Sequence, residues 1–140
     1  MLFKRRETPT TLVVGGNGKT GSRVIERLAA EGRPVRSASR SGDVRFDWND
    51  RSTWAPALDD VGAVYITYYP DLAVPGAAET VGALADLAVS MGVRRQVLLS
   101  GRNEEGAQAA EERLKQSGAD YTLVRCDFFN QNFSETFVEP

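Results

Sequence analysis

The 140 residues contain no histidine and a single cysteine, Cys126. The first absence removes the commonest metal ligand and the usual general base at neutral pH. The second excludes an internal disulfide. A Ser-His-Asp hydrolase, a Cys-His protease and most zinc enzymes cannot be built from this chain alone, and no metal site is expected. No apolar run reaches the roughly 18 residues that suggest a membrane-spanning helix, and Met1-Leu2-Phe3 followed by charge is not a secretory signal. The net charge of -2 gives no general attraction to nucleic acid or anionic membranes. The one basic run, Lys4-Arg5-Arg6, reads as a solvated arm. Neither nucleic acid nor membrane is an expected partner, and the location is read as cytoplasmic.

What the chain does have is glycine in one place. Val13-Val14-Gly15-Gly16-Asn17-Gly18-Lys19-Thr20-Gly21 follows the short apolar stretch Thr11-Leu12-Val13-Val14 and precedes an apolar stripe of Val24, Ile25, Leu28 and Ala29 that stops at Gly32 and Pro34. That order is strand, tight turn, helix. Glycine there lets the backbone turn off the strand and approach a pyrophosphate, while the helix start aims its N–H groups and positive dipole end at the phosphates. A nucleotide-triphosphate loop fits less well, because its spacing requires a glycine where Val13 stands.

Strand-like and helix-like segments alternate from Thr11 onward, without repeats or an interdomain linker. Strands are expected near 11–15, 34–39, 43–47, 61–67, 95–100 and 121–125, and helices near 19–31, 51–58, 74–91 and 104–117. This is the pattern of an α/β protein with a Rossmann-type, doubly wound parallel sheet of about six strands in the order 3-2-1-4-5-6. Residues 1–10 read as an N-terminal arm, 11–127 as the dinucleotide-binding domain, and 128–140 as a tail.

Ligands in such sheets sit at the carboxyl ends of the strands, so those residues carry the functional reading. The second strand ends in Ser39-Arg40, without the acidic residue that would bind both ribose hydroxyls of NAD. A guanidinium there suits the 2'-phosphate of NADP, and NADP(H) is favoured over NAD(H). Asp47 closes the third strand, where a carboxylate accepts from an adenine amino group. Its neighbours Phe46 and Trp48 read equally as core anchors or as ring contacts to the base. Thr67, Tyr68 and Tyr69 follow the fourth strand towards the ribose and nicotinamide, and Ser100 ends the fifth beside the nicotinamide position. The cofactor set is therefore Gly15, Asn17, Gly18, Lys19, Thr20, Gly21, Ser39, Arg40, Asp47, Trp48, Thr67, Tyr68 and Ser100. Cys126 reads as a small buried filler rather than a nucleophile.

These residues, with Asp50 and Trp54, Ala63-Val64-Tyr65, Gly92-Val93-Arg94-Arg95, Val97 to Ser100, Ser117-Gly118, Tyr121-Thr122, Arg125 and Asn132-Phe133-Ser134-Glu135, resemble the NmrA-like branch of the atypical short-chain dehydrogenase/reductases. The stretch from Phe46 to Trp54 is most similar to the festuclavine and agroclavine dehydrogenase subgroup. The resemblance implies NADP(H) bound by the glycine run and Arg40. It also implies either hydride transfer to a small conjugated acceptor of quinone, azo or iminium type, or a redox-sensing role without turnover.

The chain departs from that family in two ways. Short-chain dehydrogenases carry a Tyr-x-x-x-Lys pair on the helix after the fifth strand, and this chain has none. Glu111, Glu112 and Lys115 stand there and read as a solvated face, while Tyr121 and Arg125 read as core or strand-end residues. No catalytic residue is assigned, and whether the chain is an enzyme is left open. Family members are also about twice as long, so the C-terminal substrate lobe is expected to be lacking. Phe128, Phe129, Phe133 and Phe137 would then need other cover, which points to a homo-oligomer through the tail. A truncated remnant of a full-length reductase is the third alternative.

Overall fold

The computed structural model describes residues 9–15, 18–68, 72, 74–102 and 104–126. Six parallel strands form one sheet: β1 (Thr10–Val14), β2 (Val35–Ser39), β3 (Val44–Arg45), β4 (Val61–Ile66), β5 (Arg95–Gly101) and β6 (Asp120–Cys126). Their order is β3-β2-β1-β4-β5-β6. The chain reverses direction across the sheet between β1 and β4, which are hydrogen-bonded neighbours. Among the described residues the α-helices are α1 (Lys19–Ala30), α2 (Trp54–Leu58), α3 (Ala77–Ser90) and α4 (Glu105–Gln116).

Register and alternation decide which side chains enter the core. Leu12 pairs with Val64 and Val64 with Gln96, while Val14 pairs with Ala38 and Leu98 with Leu123. Side chains alternate along each strand, so Leu12, Val14, Ala38, Val64, Ile66 and Leu98 share one face. Against that face pack Val81, Leu84, Ala85 and Ala88 of α3, and Ala107, Ala110 and Leu114 of α4, all of them fully buried. Trp54, Ala57 and Leu58 close the same layer from α2. Each fully buried leucine or valine contributes on the order of 1.5–3 kcal/mol. The opposite face is covered more thinly: α1 lies over β1 and β2, with Val24, Ile25 and Leu28 only half-buried.

The helix ends follow their sequence signals. Gly92, with φ +88°, ends α3 in a left-handed turn in which Val93 N–H donates to the Ala88 carbonyl and Gly92 N–H to that of Val89. This is the double hydrogen bond of a Schellman stop, and a side chain at Gly92 would strain it.

Three expected boundaries move. β3 spans two residues rather than 43–47, because Asp47 turns back to form an isolated antiparallel bridge with Asp50. The helix expected over 51–58 splits into a 3-10 turn, Arg51–Thr53, and the single α-helical turn of α2. Helix α3 begins at Ala77, since Gly76 before it sits at φ +88°, outside the helical region. Gly16, Asn17, Tyr69, the Lys4-Arg5-Arg6 arm and the phenylalanines of the tail lie outside the described residues.

Candidate dinucleotide-binding site

At the carboxyl end of the sheet, where β1 and β4 diverge in connectivity, a cavity of about 510 Å³ opens. Val14 and Gly15 from β1, Ala38, Ser39 and Arg40 from β2, and Phe46 to Asn49 after β3 form one side. Thr67 and Tyr68 after β4, with Val74 and Pro75 before α3, form the other. Seven residues singled out from the sequence therefore meet in one place: Gly15, Ser39, Arg40, Asp47, Trp48, Thr67 and Tyr68.

Gly15 is the hinge of this arrangement. Its φ is +84°, a conformation that L side chains rarely adopt, and a Cβ built on it would lie 2.3 Å from Thr67 Oγ1. That hydroxyl is needed where it is, donating to the Val14 carbonyl at 2.9 Å and fastening β4 to β1 just past their last paired residues. Gly15 N–H donates to the Ala38 carbonyl at 2.8 Å, which ties the loop to β2 as well. The chain then passes into α1, whose N-cap is Gly18 with no side-chain capping bond and whose first turn carries no acidic residue. Such a helix start leaves backbone donors and positive potential for an anion. Lys19 and Thr20 sit in that first turn, and Gly21 is buried. Thr20 shares a hydrogen bond with the Tyr65 phenol, which burial pushes above its ordinary pKa range, so the phenol stays neutral.

The far wall is aromatic. Phe46 and Trp54 stack 6.1 Å apart, Trp48 meets both edge-on, and the Tyr68 ring lies 4.9 Å from Trp48. Trp48 Nε1–H donates to the Thr67 carbonyl at 3.2 Å, so this ring anchors the wall while one part of it faces the cavity. Asp47 is held by its own turn: its Oδ1 accepts from Asn49 N–H at 2.9 Å, and its carbonyl accepts from Trp54 Nε1–H at 3.1 Å. Arg45 lies 3.8 Å from Asp47 Oδ2. Asp50, in the same turn, is kept below the usual carboxylate range by hydrogen bonds from Ser52 and Arg45. Ser39 Oγ accepts from Ser41 N–H at 3.2 Å, shaping the turn that carries the exposed Arg40 over the cavity rim.

Ser100 does not line this cavity. It stands on β5, 4% exposed, and its hydroxyl donates to Glu111 Oε2 at 2.6 Å. Glu111 is not part of a solvated helix face as the charge pattern of α4 suggested: it is 4% exposed, under β5 and β6. Arg125 Nε donates to Oε2 at 3.1 Å and Nη2 to Oε1 at 2.8 Å. The hydrogen bond from Arg125 comes first among the causes that keep the Glu111 carboxyl below its ordinary range. Tyr121, a strand-end residue near the start of β6, is exposed because β6 is an outer strand. One further expectation changes: Cys126, the last residue of β6, is half-buried rather than buried. The pairing of Glu111 with Arg125 was hidden in the sequence because the two lie on different elements whose contact only the fold creates.

Among the described residues there is no cluster of acidic and cysteine side chains able to hold a metal ion, and no helix long and apolar enough to cross a membrane.

No family model matches the chain. Festuclavine synthase I of Penicillium roqueforti is 32% identical over 147 residues, covering 90% of this chain and 50% of that protein. Agroclavine dehydrogenase of Claviceps fusiformis is 32% identical over 145 residues, covering 89% and 48%. The chain spans about half the length of the curated relatives it matches. Among solved structures, a short-chain dehydrogenase/reductase superfamily protein from Agrobacterium tumefaciens with bound NAD superposes with a TM-score of 0.68 at 21% identity, covering 83% of this chain and 48% of that one. ChuY, an anaerobillin reductase from Escherichia coli O157:H7, superposes with a TM-score of 0.69 at 22% identity, covering 83% and 71%.

Proposed function

We propose that this chain, a homologue of the festuclavine and agroclavine dehydrogenases with a Rossmann fold, is the NADP(H)-holding half of an NmrA-like reductase. Its electron acceptor would be a small conjugated molecule of quinone, azo or iminium type. The observation that carries the reading is the rim of the cavity, where β2 ends in Ser39 and Arg40 rather than in a carboxylate, and where Asp47 joins the lining only from the turn after β3. A 2'-phosphate there meets the Arg40 guanidinium and the Ser39 hydroxyl, whereas β2 itself offers a bare ribose no acidic acceptor.

The site fits the dinucleotide on its own geometry. Gly15 carries no Cβ at the cavity floor, α1 presents an uncapped start beside it, and Asp47 and the aromatic wall border the space on the β3 side. Gly18, Lys19, Thr20 and Gly21 would hold the pyrophosphate, Arg40 and Ser39 the 2'-phosphate, Asp47 with Trp48 the adenine, and Thr67 with Tyr68 the ribose and nicotinamide side. When bound, the cofactor supplies a hydride. The protein's part is to position it and to keep water from the apolar wall. Glu111 occupies the helix that carries the proton-donating pair in short-chain dehydrogenases, but it is held ionised by Arg125 and has no proton to give at neutral pH. An acceptor that needs little proton donation at the hydride step suits such a site.

That same lack of an acid favours a second reading, a non-catalytic redox sensor that binds the dinucleotide and signals through a partner surface. We further propose a cytoplasmic homo-oligomer formed through the phenylalanine-rich tail. The deciding experiment mixes the protein with NADPH and a quinone and follows absorbance of the reduced nicotinamide. Consumption supports the reductase, binding without consumption supports the sensor, and no binding of either dinucleotide refutes both. Sedimentation over a concentration series tests the oligomer, which a concentration-independent monomer would exclude.

A further inference from the structure

Strands β2 and β3 lie parallel, with Ala38 opposite Val44 and Ser39 opposite Arg45, yet only residues 40–43 join them. A parallel pair ordinarily needs a connection of a dozen residues or more, most often a helix. Four suffice here because the chain leaves the sheet after Ser39, folds back over the end of β2 and re-enters beside Ala38, one position behind its exit. Asp43 Oδ2 accepts from Ser37 N–H at 3.0 Å, and Ser39 Oγ accepts from Ser41 N–H at 3.2 Å. Phe46 N–H donates to the Ser39 carbonyl at 2.8 Å. Gly42 completes the closure by what it lacks. A Cβ there would stand 2.8 Å from Ser37 Oγ, 2.9 Å from the Ser37 carbonyl oxygen and 2.9 Å from Ser39 Oγ. Unlike Gly15, Gly42 is not at positive φ, so any L residue can adopt its backbone and what the glycine supplies is room. The loop it closes carries the cavity rim, Ser39 and Arg40. With no helix between β2 and β3, the place of the Arg40 guanidinium depends on how these four residues fold.

We propose that Gly42 is a positioning residue that sets the preference for a 2'-phosphate, by letting the loop close on Ser37 and Ser39 and so holding Arg40 within reach of that group. The inference rests on the NADP(H) reading above and adds to it the residue that fixes the geometry of the rim. A methyl group at position 42 meets a backbone carbonyl that has no rotamer to turn to, so the loop must lift by about half an ångström to restore ordinary contact. That is roughly the tolerance, about 0.5 Å, within which a binding group keeps its productive geometry. Lifting the loop shifts Arg40 and Ser41 against the fixed end of β2. Gly15, the start of α1 and the aromatic wall stand on other elements and stay in place, so the loss falls on the 2'-phosphate.

Calorimetric titration of the full chain with 2'-phospho-ADP-ribose and with ADP-ribose tests this, because the two ligands differ only in the 2'-phosphate. The wild-type protein should hold the phosphorylated ligand about ten- to a hundredfold more tightly, the range of a charge-assisted hydrogen bond. Gly42→Ala should lower that preference about three- to tenfold, the size of one weakened hydrogen bond, and leave ADP-ribose affinity unaltered. Retained ADP-ribose binding also shows that the variant is folded, and a general loosening of the protein would not change the ratio. A preference that survives Gly42→Ala, or a loss shared equally by both ligands, overturns the inference. A wild-type protein that binds the two ligands equally, or neither of them, overturns the NADP(H) reading and the inference with it.

Discussion

Replacing Gly15 by alanine should damage the fold and the site together, and the structure sets the size of each part. The residue sits at φ +84°, where an L side chain costs roughly 1–2 kcal/mol. Its new Cβ would also stand 2.3 Å from Thr67 Oγ1, too close for any real contact, so Thr67 must turn away and release the Val14 carbonyl. Losing that hydrogen bond adds about 0.5–1.5 kcal/mol, for a total of roughly 2–3 kcal/mol. Thr67→Ala alone removes the hydrogen bond but also the clashing atom, so it should cost only about 1 kcal/mol. The double variant should then cost less than the sum of the singles by about 1 kcal/mol, since the hydrogen bond is lost once and the clash not at all. Urea unfolding of the four proteins measures this cycle, and dinucleotide titration of each measures the damage to the loop. A double variant whose destabilisation equals the sum of the two singles would refute the contact and the role given to Thr67.

Arg40→Asp should weaken NADPH by about ten- to a hundredfold, the range of a charge-assisted hydrogen bond, and change NADH little; equal losses for both would remove the 2'-phosphate assignment. Trp48 borders the cavity and Trp54 is only 2% exposed, so dinucleotide titration should quench fluorescence in Trp54→Phe and leave Trp48→Phe almost silent. Glu111 has a folded pKa below its unfolded value, so its stabilising effect is complete above the unfolded carboxylate range and is lost as pH falls through the folded one. Arg125→Ala should therefore lower the unfolding temperature at pH 7 and flatten its decline between pH 5 and the folded pKa of Glu111, both readable by calorimetry at a series of pH values.

The strand order was legible because the glycine run, the β-branched segments and the helix stops all report local physics. Val13-Val14-Gly15 marks a strand entering a turn whatever surrounds it, and Gly32 and Gly92 end helices by their backbone freedom alone. The cavity wall was legible for a different reason: in a doubly wound sheet the strand ends converge, so Ser39, Arg40, Asp47 and Thr67 needed only the right topology to meet. Glu111 was misread because charge on a helix is a poor guide when its partner comes from another strand. Helix α4 alternates Glu111, Glu112, Arg113 and Lys115, and nothing local distinguishes the one that turns inward. Short β3 escaped for a related reason, since Asp47 answers to its turn with Asp50 rather than to the preference of Phe46 and Trp48 for strands.

The site also straddles an asymmetry in packing. The buried cluster lies between the sheet and α2, α3 and α4, whereas α1 rests on β1 and β2 through half-buried Val24, Ile25 and Leu28. The aromatic wall of Phe46, Trp48 and Tyr68 belongs to or packs against the dense layer, so its geometry is set by the core before any ligand arrives. The start of α1, proposed above to hold the phosphates, depends on the lighter side. There the fixed points are the buried Gly21, the Tyr65 bond to Thr20, and the Gly15 tie to Ala38. A molecule that spans both ends joins a rigid wall to a lightly held helix, and whatever binds only the folded state stabilises it by mass action. A ligand that spans both ends should therefore protect α1 most, since the apolar stripe of that helix is only half-buried.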